Sequence, residues 1–534
     1  MSDVPRVVVI GSGAAGLAAA VAALEGGARV TLLERSRVAG GTTALSGGVA
    51  WLPANHRAAE LGFDDSPGEA REYLAGLALG DVDRGLIDVF VDDAARVARE
   101  LERTGLRWRP LPYPDYHAER PGGKLGGRSL EPGPHEPDPA IAPLLREAPN
   151  VRDPVTYAEL AGGGIDRAQV EERRARGVVT LGRALVAALL GAVARAGGDI
   201  RTGVRARRLV VERGEVAGVE TDGGVIGGRV VLAGGGFERD PALVRAFLRG
   251  PMTAPAGVSE DDGDCLRMAM ATGAALGNMS EAWWCPALRV PGEQVDGAPL
   301  FRLVLTERAR PGSLMVDGAG RRFVDEAANY NDVGRSLHDF DAARFAFPRT
   351  PAWLVFDAEY RARYALGPLR RGDPDPDWLA RGEDLAGLAA AIGVPAGTLA
   401  SSVGRFNDLA RAGADEDFGR GSYAYDRFVG DQRAADPTLR PLGEGPYYAA
   451  RVLPGCLGTK GGPRTDDRGR VLAAAGGPIP GLYAAGNAAA SPFGLAYPGA
   501  GGTIGPALVF GHRAGEAASA PGDRRAHELQ GALA

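Results

Sequence analysis

Arg6-Val7-Val8-Val9-Ile10-Gly11-Ser12-Gly13-Ala14-Ala15-Gly16 opens the chain and decides its fold. The β-branched run up to Ile10 suits a strand buried on both faces of a parallel sheet. The glycines that follow spell G-x-G-x-x-G, and Leu17 to Leu24 reads as an Ala-rich helix. Gly11 permits the tight turn, Gly13 lets the backbone approach a pyrophosphate, and Gly16 allows close helix–strand packing. Ser12, Ala14 and Ala15 fill the remaining positions at a helix N-terminus, which is itself an anion site. A second strand from Arg29 to Leu33 ends at Glu34-Arg35, where a carboxylate reaches an adenosine ribose. Strand, turn, helix and acid stand in register. They predict an α/β, Rossmann-like dinucleotide-binding domain.

Working outward, Val38 to Gly48 is a loop of glycines and hydroxyls directly after the ribose-binding strand. Small residues there let the backbone lie along a pyrophosphate and an isoalloxazine ring. Gly40, Gly41, Thr42, Thr43, Ser46, Gly47 and Gly48 are therefore expected to hold FAD rather than NAD. Two later strands, Arg229 to Gly236 and Pro480 to Asn487, also end in glycine. They are expected to bring Ala233, Gly234, Gly235, Gly486 and Asn487 to the same cofactor, assembled from both ends of the chain. Ala206, Asp264, Gly502 and Ile504 complete the expected cofactor contacts.

Near the C-terminus, Tyr497-Pro498-Gly499-Ala500-Gly501 runs into Gly502-Thr503-Ile504-Gly505. A phenol followed by a glycine with a free N–H offers two donors to one ketone oxygen, just before a helix begins. That is an oxyanion-hole arrangement. Beside a flavin site it points to dehydrogenation next to a carbonyl.

Taken together, the early fingerprint, the G-G-T-T-A-L-S-G loop, Leu482-Tyr483-Ala484-Ala485-Gly486-Asn487 and Tyr497-Pro498-Gly499-Ala500-Gly501 resemble the 3-ketosteroid Δ1-dehydrogenases, of the fumarate reductase/succinate dehydrogenase flavoprotein superfamily. Trp51-Leu52-Pro53, Tyr113-Pro114-Asp115-Tyr116, Trp283-Trp284-Cys285-Pro286, Asn329 to Arg335 and Gly458 to Gly462 extend the likeness over the whole chain. The resemblance implies C1–C2 desaturation of a 3-ketosteroid, with electrons passed on to a quinone-like or other acceptor. Tyr497 and Gly501 would hold the ketone oxygen, Tyr330 would take the C2 proton, and Tyr116 would activate Tyr330. The C1 hydrogen would leave as hydride to flavin N5. A free phenol has a pKa of about 10, so Tyr330 needs help to act as a base. His117 follows Tyr116 where several relatives carry another tyrosine, and on its own reads as a loop histidine. Trp51, Trp284 and Pro498 are expected to line an apolar steroid slot, with Trp283 beside them. Lys460 has two readings, near the cofactor or at the surface. Gly41 stands where covalent-flavin relatives carry histidine, so noncovalent FAD is expected.

Composition adds bounds. At 534 residues, two domains are the prior expectation. Of 61 Lys+Arg only Lys124 and Lys460 are lysines; with 80 Gly and 38 Pro this points to a GC-rich bacterial genome. A net charge of −6 with no basic cluster argues against nucleic acid. Cys265, Cys285 and Cys456 are too scattered for a zinc motif, and no metal is expected. The first strand begins at Arg6 and no run is long enough to span a membrane, so a cytoplasmic enzyme is expected, with peripheral membrane contact left open.

The expected organisation is an FAD domain (1–280 and 447–534) interrupted by an α+β substrate-capping domain (281–446). Helices are expected at Ala70 to Leu79, Gly85 to Thr104, Leu181 to Arg195, Asp264 to Leu276, Leu385 to Ile392, Ala396 to Ala410 and Gly505 to Ala518. A hairpin is expected at Leu314 to Phe323, a long loop at Pro110 to Asp153, and a frayed tail at the end. Three alternatives stand beside the steroid reading. A fumarate reductase would need a cationic clamp and its His-Pro-Thr motif, which is missing here. A Δ4-(5α)-ketosteroid dehydrogenase stands closer, and the sequence leaves open whether the ketone is a steroid or a non-steroidal ring. A flavoprotein electron carrier without a substrate would need no oxyanion site.

Overall fold

The computed structural model describes residues 4–151 and 153–521; the expected tail beyond 521 lies outside the described residues. The N-terminal motif folds as its sequence dictates. Arg6–Ile10 lies in the middle of a six-stranded sheet, in the order Arg470–Leu472, Pro478–Ala484, Arg229–Leu232, Arg6–Ile10, Arg29–Glu34, Asp199–Thr202. All neighbours are parallel except the first pair. Val9 pairs with Val231, and Val231 with Tyr483, so the sheet joins segments hundreds of residues apart.

Helix Ala14–Glu25 packs on the C-terminal helix Ile504–Ser519 almost backbone to backbone. A Cβ at Gly511 would meet the Ala15 carbonyl oxygen at 2.3 Å, and one at Gly515 would meet that of Ala19 at 2.2 Å. Glycine on one helix and alanine on the other thus set their separation. Both helices are buried along nearly their whole length.

A second, antiparallel sheet is built around the 13-residue strand Tyr447–Thr459. Ala282–Val295 pairs with one edge and Ala352–Asp357 with the other, and Ser313–Val316 extends it. The expected return to the FAD domain at residue 447 therefore falls too early, because Tyr447–Thr459 belongs to this second sheet. Its burial on both faces marks it as a strand without marking which sheet it joins. The expected hairpin keeps its turn, with Asp317 N–H donating to Arg321 O at 2.9 Å, but Arg322 alone bridges back to Val316. The Glu326 carboxylate accepts the Met315 N–H at 2.9 Å and occupies the edge a returning strand would need. Helix Asp264–Ala271 stops short of Leu276, with Gly273 at φ +77° just beyond it. Within the expected loop, Ser129–Pro132 pairs with both Ala50–Trp51 and Trp108–Pro110. The remaining helices form within two to three residues of expectation.

Candidate active site

The cofactor cradle follows from the glycines. A Cβ at Gly11 or Gly16 would strike backbone at 2.3 or 1.9 Å, whereas one at Gly13 would meet nothing nearer than Thr43 Oγ1 at 3.4 Å. Gly11 and Gly16 thus serve the turn and the packing, and Gly13 faces open space. Helix Ala14–Glu25 gets no cap from its N-cap residue Gly13 and has no acid in its first turn; apart from Ala14 N–H, which Thr43 takes, its first N–H groups are left to an anion. A Cβ at Gly41 would likewise meet nothing within 4 Å. These features fit a pyrophosphate and a flavin.

Among the other expected contacts, buried Glu34 accepts from Ser12 Oγ at 2.5 Å, Ser12 N at 3.2 Å and Ser36 N at 2.8 Å. Burial raises its pKa, opposed by those hydrogen bonds. Asp264 is engaged by Arg205 and Arg35 at 2.5 and 3.3 Å. Thr42 donates to Asp261 at 2.7 Å, and Thr43 caps Ala14 N–H at 3.0 Å. Gly235, at φ +82°, leaves room for Asp261, and Gly234 for Cys265. Gly47 and Gly48 answer to protein neighbours, the Tyr157 ring and the Leu181–Gly182 backbone. Gly486 lies against Ala15, and Ala206 begins a hairpin beside the main sheet.

The structure brings Tyr116, Tyr330 and Tyr497 together. Tyr330 meets Tyr116 edge-on at 5.4 Å between centroids and Tyr497 at 5.3 Å, and Tyr116 and Tyr497 are 5.3 Å apart. Asn329 caps the helix Tyr330–Ser336 by accepting Asp332 N–H at 3.1 Å, which fixes Tyr330 as its first residue. Thr503 Oγ1 donates to the Tyr497 hydroxyl at 3.0 Å, leaving that phenol free to donate onward. Gly501, at φ +94°, accepts from Trp51 N–H at 3.0 Å and Gly505 N–H at 2.9 Å, while its own N–H meets no acceptor among the described residues. The C-terminal helix that follows is uncapped by any side chain and carries no acid in its first turn.

Burial raises all three phenols, with Tyr116 and Tyr330 held well above the usual tyrosine value. Tyr116 and Tyr497 push Tyr330 further up. The opposing influence on Tyr116 includes Arg308, which also acts on Tyr425. Neither residue was evident in the sequence. Tyr425 packs on Tyr116 at 4.8 Å, and burial pushes it to about 12. Fully buried Arg308 donates to the carbonyls of Val304, Glu326 and Ala328. A tyrosine in a helical stretch far from any motif gives no sequence signal.

The expected slot residues divide by strand alternation. Trp283 sets its ring edge-on to Tyr497 at 4.9 Å and donates to Asn487 at 3.0 Å. Trp284 points to the other face, meets the His338 ring at 4.1 Å and a 47° tilt, and packs with Phe237 and Leu248, away from the tyrosines. Trp51 is fully buried beneath Gly499, Gly501 and Gly505, where any Cβ would strike it, and donates to Asp115 at 2.7 Å. It supports the loop from below. The Pro498 carbonyl accepts from Tyr73 Oη at 2.6 Å and Tyr116 N at 3.1 Å. Lys460 is fully buried, so its surface reading is set aside.

A sequence model of the FAD binding domain family matches residues 6–504. The chain is 40% identical over 531 residues to 4-oxocyclohexanecarboxylate 2-dehydrogenase of Sinomonas cyclohexanicum, covering 95% of this chain and 92% of that one. It is 38% identical over 553 residues to 3-oxosteroid 1-dehydrogenase of Mycobacterium tuberculosis, covering 95% and 97%. Its fold is similar to the crystal structure of 3-ketosteroid Δ1-dehydrogenase from Sterolibacterium denitrificans in complex with 1,4-androstadiene-3,17-dione, with a TM-score of 0.88, 34% identity, and 96% and 99% of the two chains covered.

Proposed function

Because this chain belongs to the 3-ketosteroid Δ1-dehydrogenase family, built on the FAD binding domain, we propose that it is an FAD-dependent enzyme introducing the C1–C2 double bond into 3-ketosteroids. The observation that carries this reading is the contact of Tyr330 with both Tyr116 and Tyr497, four residues before Gly501, whose N–H meets no acceptor among the described residues. Tyr497 O–H and Gly501 N–H hold the ketone oxygen and stabilise the charge that gathers there as C2–H breaks. Tyr330 receives the C2 proton, and Tyr116 hydrogen-bonds to it. Ionising a buried phenol is costly, and of the charges around this trio it is the Arg308 guanidinium, acting on Tyr116, that favours the ionised form. FAD, when bound, supplies the hydride acceptor for C1. Gly13, Thr42, Thr43 and the N-terminus of Ala14–Glu25 would hold it. We read it as noncovalent, so acid precipitation should leave the yellow colour in solution. The residues around Tyr447–Thr459 form the lid over this site in our reading, delivering Tyr330 and Trp283 to the flavin domain.

The identity to a dehydrogenase named for a monocyclic oxo-acid favours a second reading, in which the ketone is a single ring bearing a carboxylate. Nη2 of buried Arg308 meets no acceptor among the described residues, and in this second reading it pairs with that carboxylate. Anaerobic mixing of the holoenzyme with 4-androstene-3,17-dione, followed by flavin absorbance, separates the two. Rapid bleaching with formation of the 1,4-diene is expected. Bleaching by 4-oxocyclohexanecarboxylate alone would replace the steroid by the oxo-acid.

A further inference from the structure

Lys460 lies just past the strand Tyr447–Thr459, one of two lysines in the chain, and its side chain is fully buried. Its ammonium donates to three consecutive carbonyls, Gly494 O at 3.1 Å, Leu495 O at 3.1 Å and Ala496 O at 2.8 Å. These are the three residues before Tyr497. An ammonium has three donors, and all three are used. A neutral amine would carry one fewer and turn a lone pair toward a carbonyl, so the geometry belongs to the cation.

The same ammonium sits 4.2 Å from the Trp283 ring centroid, on the ring that meets Tyr497 edge-on. Arg335, on the helix that begins with Tyr330, reaches the Leu495 carbonyl at 3.3 Å while paired with Glu281 at 2.7 Å. Leu495 O is thus gripped from both sides, by Lys460 and by the helix that carries Tyr330. Beyond Tyr497, protein donors take the carbonyls of Pro498, Gly499, Ala500 and Gly501. The carbonyls of 494–496, Pro498, Ala500 and Gly501 are thus taken by donors elsewhere in the protein, and that of Gly499 by Gly502 N–H within the loop. That polarity suits a stretch whose phenol and N–H must both face a substrate oxygen.

We propose that Lys460 is a positioning residue of the ketone site, whose ammonium holds residues 494–496 so that Tyr497 and the Gly501 N–H converge on one oxygen. The inference rests on the ketone-site reading above. No carboxylate pairs with Lys460 among the described residues. Burial, helped by the charge of Arg335 and opposed by those of Glu281 and Asp332, lowers its pKa to about 7. A buried, unpaired cation is costly, and the three carbonyls give it a use in this place.

The test compares holoenzyme of the wild type, Lys460→Met and Lys460→Arg. Amide hydrogen exchange read by mass spectrometry needs no substrate. In Lys460→Met the peptides spanning 491–503 should exchange faster while the rest of the protein and the bound FAD are unchanged. Unchanged exchange there overturns the proposal, whatever the substrate proves to be. Turnover is then measured with whichever of 4-androstene-3,17-dione and 4-oxocyclohexanecarboxylate the wild type oxidises. Wild type inactive on the steroid counts against the functional reading only. Lys460→Met should lose about 100-fold in kcat, as expected for roughly 1 Å of misplacement, with KM changed far less. Lys460→Arg should recover part of it. Equal losses in kcat/KM and FAD content, or a kcat near wild type, would reduce Lys460 to a packing residue. If Lys460→Met does not accumulate as holoenzyme, Lys460→Arg carries the test: its guanidinium cannot match three adjacent carbonyls, so an unchanged kcat and unchanged exchange at 491–503 would overturn the proposal.

Discussion

His117 Nε2 lies 3.1 Å from Asp332 Oδ2, tying the residue after Tyr116 to the residue two past Tyr330. The histidine that reads in sequence as an isolated loop residue is thus a strap between the two segments that carry these phenols.

That pair has a pH signature. Burial lowers the His117 pKa, but the hydrogen bond and charge of Asp332 outweigh it and hold it above the ordinary value. Asp332 is held below its ordinary value by His117, Asn329 and Asn331 against its burial. A raised histidine contributes stability fully below its unfolded pKa of about 6.5 and loses it as pH climbs through the raised value. The lowered aspartate contributes above its own unfolded value and loses that only in acid. Thermal melts of wild type and His117→Phe holoprotein should therefore differ more at pH 6 than at pH 9. A gap that is constant or wider at pH 9 would mean the pair is not an ion pair in solution.

Tyr497→Phe should keep FAD and lose on the order of 100- to 1000-fold in kcat, the cost of one oxyanion donor. Substrate affinity should fall far less, because charge on the ketone oxygen develops mainly in the transition state. Near-normal turnover would remove this hydroxyl from the reaction.

Tyr330→Phe should be the most damaging change that leaves folding and FAD intact, with Tyr116→Phe milder. The reading is exchange of C2 protons into deuterated solvent, followed by NMR under anaerobic, pre-reduced conditions. Wild type should exchange, Tyr116→Phe more slowly, and Tyr330→Phe hardly at all. Undiminished exchange in Tyr330→Phe would assign the proton to another group.

The neighbouring tryptophans should part company. Trp283→Phe removes the wall behind Tyr497 and the donor to Asn487, and should lower turnover with little loss of melting temperature. Trp284→Phe empties space beside His338, Phe237 and Leu248, and should cost stability, a few kcal/mol at most, with kcat close to wild type. The opposite pattern would reverse the assignment of faces.

Those four cases show what the sequence made legible. Local rules sufficed where one short stretch carries the whole constraint. The turn at Gly11, the strand ending at Glu34 and the helix after Gly501 all form where spacing and glycine chemistry put them. Long-range choices were hidden. Nothing within Tyr447–Thr459 says that it pairs with Ala282–Val295 rather than with the flavin-domain sheet, and the domain boundary was misjudged there. Trp283 and Trp284 are equally apolar, and only the register of their strand decides which one meets Tyr497. Tyr425, Arg308 and the role of Lys460 depend on tertiary neighbours that no motif encodes.

The glycine-to-alanine seam between Ala14–Glu25 and Ile504–Ser519 also has a consequence for biosynthesis. The strand Arg6–Ile10 emerges from the ribosome long before Pro478–Ala484 completes its sheet, and its helix, which also meets Leu181–Arg195, keeps one face open until Gly511 and Gly515 arrive. At roughly 5–20 residues per second, the N-terminal segment waits on the order of half a minute or more with that apolar face uncovered. The flavin cradle at the first glycines therefore gains its backing helix only once Ile504–Ser519 has been made. Synthesis order and assembly order run opposite ways in this fold.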